Sequence, residues 1–187
     1  MDKKDILQQA AKCLLNKGVI LYPTETVWGL GCLSSNLDAY LKINTIKQRP
    51  PEKPYILLVD SWQMLCSYID DNNLLSNAKP LALADEPTTI IYPKTKLAQH
   101  CCAENGSVAI RITQHNFCKQ LIGYVGEPIV STSANTSGKP ATVKFEMLET
   151  LILNKVDFVI PKTVGEGNGQ SSRLFSFLPK GTFSRLR

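Results

Sequence analysis

The chain has 187 residues, of which 43% are apolar and 20% charged, a length and composition that suit one soluble globular domain, 1–187, with a proper core. Its net charge of +5 suits an anionic ligand or a transient RNA contact and proves neither. No apolar run approaches the roughly eighteen residues of a membrane-spanning helix, which excludes one.

The N-terminal stretch MDKKDILQQAAKCLLNKG mixes acids with bases. It lacks both a continuous apolar segment and a small-residue cleavage site, so it is no secretory leader and the expected address is the cytoplasm. Residues 3–17 read as an amphipathic helix with Ile6, Leu7, Ala10, Cys13 and Leu14 on one face and Gly18 at its stop. The apolar run Val19–Tyr22, ended by Pro23, predicts a strand. Leu37, Leu41, Ile43 and Ile46 predict a helix over 37–48. A strand follows at Tyr55–Val59, then a helix that Ser61 caps and that carries Trp62, Leu65, Cys66 and Ile69. Further strands are expected at Thr88–Tyr92, Ser107–Ile112 and Pro128–Ser131, with a helix at Phe117–Tyr124 before the last of them. A helix over 143–153 and strands near 157–160, 173–178 and 182–186 complete the chain. This order lacks strict βαβ repetition, so the expected class is α/β with an α+β-like mixed sheet.

Six cysteines, at 13, 32, 66, 101, 102 and 118, form no Cys-x-x-Cys pair. His100, Cys101 and Cys102 are adjacent, a poor spacing for tetrahedral zinc. Reduced thiols, mostly buried, are expected, with no protein-held metal.

Four polar segments interrupt the apolar pattern at element ends, where binding groups are commonly presented. Pro23–Gly31 (PTETVWGLG) puts two hydroxyls and a carboxylate directly after a strand; it reads as a capped turn or as a binding segment. Lys47–Pro54 (KQRPPEKP) holds three cations at the end of a helix, which suits the helix C-terminus or a phosphate clamp stiffened by three prolines. Ser131–Lys139 (STSANTSGK) gathers five hydroxyls and Asn135, small donors that could surround a phosphate or carboxylate. It is no Walker A loop, because Ser133 and Pro140 stand where that motif needs glycine and a hydroxyl. A serine nucleophile is weakly supported, with no nucleophile elbow. Gly165–Ser172 is a glycine-rich loop whose plainest reading is a surface connection. Arg111 ends an apolar strand, on a solvated face or aimed into a cleft.

In the order PTETVWGLGC, KQRPPEKP, SVAIRI and VSTSANTSGKPA, these segments resemble the YrdC-like family of threonylcarbamoyl-AMP synthases, in its short bacterial form. Lys47 and Arg49 match the family's Lys-x-Arg, and Ser133 and Asn135 its Ser-x-Asn. The resemblance runs from about residue 5 to the C-terminus.

It implies a twisted open sheet with flanking helices around a basic concave cleft. It also implies condensation of L-threonine, bicarbonate and ATP to threonylcarbamoyl-adenylate and pyrophosphate, the first step of threonylcarbamoyladenosine formation at tRNA position 37. Lys47 and Arg49 would be catalytic. With Lys53 they would bind the ATP phosphates, and Ser133, Asn135 and Arg185 would complete the ATP site. Thr24, Thr26, Arg111, Ser131 and Ser171 would hold threonine. Magnesium would accompany ATP, held chiefly by phosphates and water. A tRNA contact and a downstream threonylcarbamoyl-transferase complex are the implied partners, with no membrane.

The chain departs from the family's pattern at Leu83–Pro87, where a Trp-Pro-Gly-Pro-like turn is usual, and at Leu58, where longer relatives tend to carry histidine. It also ends at Arg187 without the usual following glycine. The main alternative is a non-catalytic protein that holds tRNA or rRNA in the same basic cleft, though no aromatic RRM-type motif is present. Carbamoyl transfer in hydrogenase maturation keeps the fold, but those relatives carry acylphosphatase and zinc-finger modules not seen here.

Overall fold

The computed structural model describes residues 2–49, 54–178 and 181–187. Helix α1 (Lys3–Leu15) begins with a reciprocal cap, in which the Asp5 amide donates to the Asp2 carboxylate and the Asp2 amide to the Asp5 carboxylate. Ile6, Ala10 and Leu14, four residues apart, form its buried stripe. Strand β1 (Ile20–Pro23) follows as expected.

Strand β2 (Trp28–Leu33) is a finding of the structure. The sequence pattern assigns its first half to a polar binding segment, because Gly29 and Gly31 erase the strand signal. Gly31 answers to space. A Cβ on Gly31 would lie 2.7 Å from the Tyr22 ring and 2.9 Å from the Ile129 side chain. Only glycine lets β2 lie flat under Tyr22, and all six residues are buried.

Helix α2 (Leu37–Lys47), strand β3 (Ile56–Val59) and helix α3 (Trp62–Ser67) come next. Ser61 caps α3 as expected, accepting the Met64 amide. Helix α4 (Asn72–Ala82) has no counterpart in the sequence reading. Its Asn, Ser and Pro80 make a weak helix pattern, and burial of Leu74, Leu75 and Ala78 with an Asp71 cap sustains it. Strands β4 (Thr88–Tyr92) and β5 (Val108–Ile112), helix α5 (Asn116–Val125) and strand β6 (Ile129–Ser133) match expectation closely.

The helix expected over 143–153 shrinks to a 3-10 turn at Phe145–Met147 and helix α6 (Thr150–Leu153). Side-chain contacts compete with helix there. The Phe145 amide donates to Glu166, and the Glu149 carboxylate turns toward Thr136 and Lys139. Strands β7 (Phe158–Val159), β8 (Arg173–Phe177) and β9 (Phe183–Arg185) close the chain.

Among the described residues nine strands join one mixed sheet, ordered β7-β1-β2-β6-β3-β5-β4-β8-β9. Side chains alternate between its faces. On one face Leu21, Leu30, Leu57, Ile90 and Ile110 join a core with α2, α3 and α4. On the other, Ile20, Tyr22, Leu58 and Ile129 pack with α1 and α5. Among the described residues no helix is long and apolar enough to cross a membrane. All six cysteines are free; Cys32, Cys101 and Cys118 are buried and the other three partly so.

Candidate active site

Strand register assembles the site. Gly29 pairs with Ser133, Ile56 with Ser131, and Leu58 with Arg111. Partners across a ladder share a face, as do residues two apart along a strand. Gly29, Ser133, Ser131, Ile56 and Arg111 therefore form a row on the face that also carries α1 and α5. A cavity of about 300 Å³ opens over this row. Thr24, Thr26, Arg49, Tyr55, Ser171 and Arg187 complete its polar and aromatic walls.

The Thr24 and Thr26 hydroxyls lie 2.9 Å apart. Thr24 Oγ1 donates its single proton to the Val27 carbonyl at 2.7 Å, so the Thr26 hydroxyl must donate to Thr24. That proton order leaves the Thr26 oxygen free to accept a hydrogen bond from a ligand.

Arg111 settles the choice left by its sequence position. Its side chain is 5% exposed, lines the cavity, and places Nε 2.9 Å from Glu25 Oε1. The second Glu25 oxygen accepts from the Thr113 hydroxyl at 2.8 Å. Among the described residues no carboxylate lines the cavity; Glu25 stands behind Arg111.

The glycine-rich 165–172 segment is a strap over the first motif. The Asn168 amide donates to the Glu25 carbonyl at 3.1 Å and the Gly169 amide to the Thr26 carbonyl at 2.8 Å. Gly167 lies so close that a Cβ would sit 2.2 Å from the Thr26 carbonyl oxygen. This brings Ser171 to the cavity, while Ser172 is buried with its hydroxyl 2.8 Å from that of Thr89.

Residues 12–187 match the Sua5/YciO/YrdC family model, described as "Telomere recombination". The chain belongs to that family. It is 32% identical to the threonylcarbamoyl-AMP synthase of Pseudoalteromonas translucida (strain TAC 125), an alignment that covers 93% of this chain and 94% of that one. It is 33% identical to the threonylcarbamoyl-AMP synthase of Coxiella burnetii (strain RSA 493 / Nine Mile phase I), over 88% of this chain and 89% of that one. Among solved structures it resembles P. abyssi Sua5 complexed with L-threonine, with a TM-score of 0.83 and 25% identity. All of this chain aligns there but covers only 54% of that longer protein.

Within this Sua5/YciO/YrdC fold the sequence-derived residues separate into two groups. Thr24, Thr26, Arg49, Arg111, Ser131, Ser133 and Ser171 line one cavity. Arg49 stands over the Tyr55 ring, with its guanidinium carbon 4.7 Å from the ring centroid. Lys47 and Asn135 stand behind the wall. Lys47 is 2% exposed, and its ammonium donates to the main-chain carbonyls of Ser133 and Asn135, the latter at 2.8 Å. The Asn135 amide in turn donates to the Lys139 and Thr136 carbonyls at 2.7 and 3.0 Å, which closes the turn on itself. Burial, and next the Arg49 charge, lower the Lys47 pKa to about 8.

Arg185 is exposed and donates to the Arg187 carbonyl at 3.0 Å; of these two arginines, Arg187 is the one on the cavity wall. Lys53 lies outside the described residues.

Sequence reasoning counted the Glu25 carboxylate in a candidate binding segment without giving it a role, and passed over Thr113 and Glu149. Thr113 carried a usable signal, since it stands two residues after Arg111 and so shares its side of the chain. Glu149, which accepts from Thr136 and Lys139, carried none. Among the described residues, no three His, Cys, Asp or Glu side chains gather as a metal site.

Proposed function

We propose that this chain is a threonylcarbamoyl-AMP synthase, and that the cavity over β2, β6, β3 and β5 binds L-threonine beside ATP. One observation carries the reading. In a chain that aligns almost end to end with such synthases, the groups suited to each substrate open into the same small space. Arg111 offers a guanidinium to the threonine carboxylate, and Thr26 offers an acceptor to its amine. Ser131 lies between them, and Ser171 on the strap faces the same substrate. Arg49 and Ser133, toward the other side, are the donors for phosphate oxygens, with Arg187 a further cation on the wall.

In the proposed reaction the threonine amine adds to bicarbonate and water leaves, giving a carbamate. A carbamate oxygen then attacks the α-phosphorus of ATP, and the bond to pyrophosphate breaks. Charge grows on phosphate oxygens as that bond breaks, so fixed donors at Arg49 and Ser133 stabilise the transition state more than the ground state. No covalent enzyme intermediate is required.

Lys47 contributes from behind the wall. With its ammonium on carbonyls of the 133–135 segment, it fixes the Ser133 backbone, and its charge adds to the phosphate end of the cleft. Magnesium enters as part of the ATP substrate. Among the described residues no carboxylate lines the cavity to hold it as a resident ion, so phosphates and water would supply its ligands. The product is an activated adenylate for tRNA threonylcarbamoylation, with a downstream transferase as its consumer, and the cytoplasm is the expected compartment.

The test is pyrophosphate release from purified protein given ATP, bicarbonate and threonine. Release should depend on threonine, and Arg49→Ala should reduce it about a hundredfold. Threonine-independent release, or salt-sensitive RNA binding without turnover, would sink the reading.

A further inference from the structure

The Arg111–Glu25 contact is close but badly aligned. The two facing atoms are 2.9 Å apart, yet neither makes a hydrogen bond of acceptable angle, and both are buried. A buried guanidinium and carboxylate at this distance attract strongly, and a poorly directed contact forfeits much of what they could gain.

The carboxylate is not adrift. Thr113, fully buried, donates its hydroxyl proton to Glu25 Oε2 at 2.8 Å, and the same hydroxyl oxygen accepts the His115 amide at 3.3 Å. One proton and one acceptor direction are both used, so Thr113 has no freedom to turn away. The Glu25 main chain is fixed as well, because its carbonyl accepts the Asn168 amide of the strap. Glu25 thus stands on a rigid base and faces Arg111 through Nε, the side of the guanidinium nearest its own stem. The terminal nitrogens remain as a fork for a second carboxylate.

We propose that Glu25, held by Thr113, is a positioning residue that sets the Arg111 guanidinium for the carboxylate of the amino-acid substrate. The inference rests on the threonine site proposed above. Glu25 orients the planar group about its stem and lowers the net charge of that wall. The substrate carboxylate then completes a carboxylate–guanidinium–carboxylate row. Neither Glu25 nor Thr113 touches substrate in this arrangement; both act through Arg111.

The test compares threonine and ATP binding by calorimetry in Glu25→Gln, Thr113→Val, the double variant and Arg111→Lys. Glu25→Gln should weaken threonine about thirtyfold and Thr113→Val about fivefold, with ATP affinity held within about twofold. Since Thr113 acts through Glu25, the double variant should bind threonine no worse than Glu25→Gln alone. If Glu25→Gln does not fold, Thr113→Val, which keeps the charge pair, carries the test. Equal weakening of ATP and threonine would reduce Glu25 to fold support and overturn the inference. So would unchanged threonine affinity in Thr113→Val, or additive effects in the double variant. Loss of threonine in Arg111→Lys with full retention in both other single variants would sink the positioning role alone. Wild-type protein that binds no threonine would sink the site itself.

Discussion

Two polar clusters border the cavity, and they spend their hydrogen bonds differently. In the turn after β6, the Lys47 ammonium serves the Ser133 and Asn135 carbonyls, the Asn135 amide serves Lys139 and Thr136, and Glu149 accepts from Thr136 and Lys139. Those donors are directed at protein. On the strand wall opposite, the Thr26 oxygen has an acceptor to spare and Arg111 keeps its terminal nitrogens. A dense polar motif can thus build a wall or serve a ligand, and the distinction lies in where its protons already point. Ser133 belongs to both clusters, with its carbonyl turned to Lys47 and its side chain on the cavity.

The comparison breaks most sharply at Lys47. Lys47→Met leaves two carbonyls without their donor, and should lower stability by about 2–3 kcal/mol in chemical denaturation. A lysine that only gripped phosphate would leave stability unchanged and weaken ATP alone. The pH dependence sharpens this. An unfolded lysine keeps its proton to about 10.5, whereas burial brings folded Lys47 to about 8. Between those values the unfolded chain binds more protons, so this group's contribution to stability rises with pH. The advantage of wild type over Lys47→Met should therefore widen from pH 8 toward pH 10, because the neutral amine still has donors for both carbonyls. A gap that narrows over that range would contradict the assignment.

A smaller effect is expected on the wall side. Gly167→Ala would place a Cβ 2.2 Å from the Thr26 carbonyl oxygen and 2.7 Å from that of Thr24. Backbone cannot yield as a side chain can, so the strap must lift and lose its bonds to Glu25 and Thr26. The expected cost is about 1–2 kcal/mol, with a several-fold rise in the KM for threonine and little change for ATP. Equal rises for both substrates would show that the strap serves the whole cavity rather than its threonine wall.

How much of this the residues foretold depends on whether the signal was local. Strands β1, β3, β4, β5 and β6 and helices α1, α2, α3 and α5 announce themselves through apolar period and caps such as Ser61. Strand β2 hides behind two glycines, of which Gly31 makes room for Tyr22, a partner on another strand. Helix α4 hides behind Asn, Ser and Pro80, and only burial of Leu74, Leu75 and Ala78 reveals why it forms. The same division holds at the site. Motif order singled out Thr26, Arg49, Arg111 and Ser133, all on one cavity. It could not show that Lys47 turns inward, that Arg187 reaches the wall beyond Arg185, or that the 165–172 loop is bonded to Glu25 and Thr26. Each of those facts is a long-range pairing that no spacing encodes.

Glu149 offers the gentlest test of the self-held turn. Its carboxylate accepts from the Lys139 ammonium at 2.6 Å and from the Thr136 amide at 2.9 Å, and these contacts, the Lys139 bond foremost, hold its pKa below the usual carboxylate value. A lowered folded pKa means stability that is present above the unfolded value and is lost as pH falls through the folded one. Lys139 is largely exposed, so solvent screens the pair and Glu149→Gln should cost only about 0.5 kcal/mol at neutral pH. That difference should shrink as the solution is acidified toward pH 3 and shrink also in high salt, which weakens the ion pair but spares the Thr136 amide bond. No difference between wild type and Glu149→Gln at any pH would mean that a neutral side chain at 149 holds the turn equally well. The turn would then depend on Lys47 and Asn135 alone, and its rigidity would come wholly from the buried side.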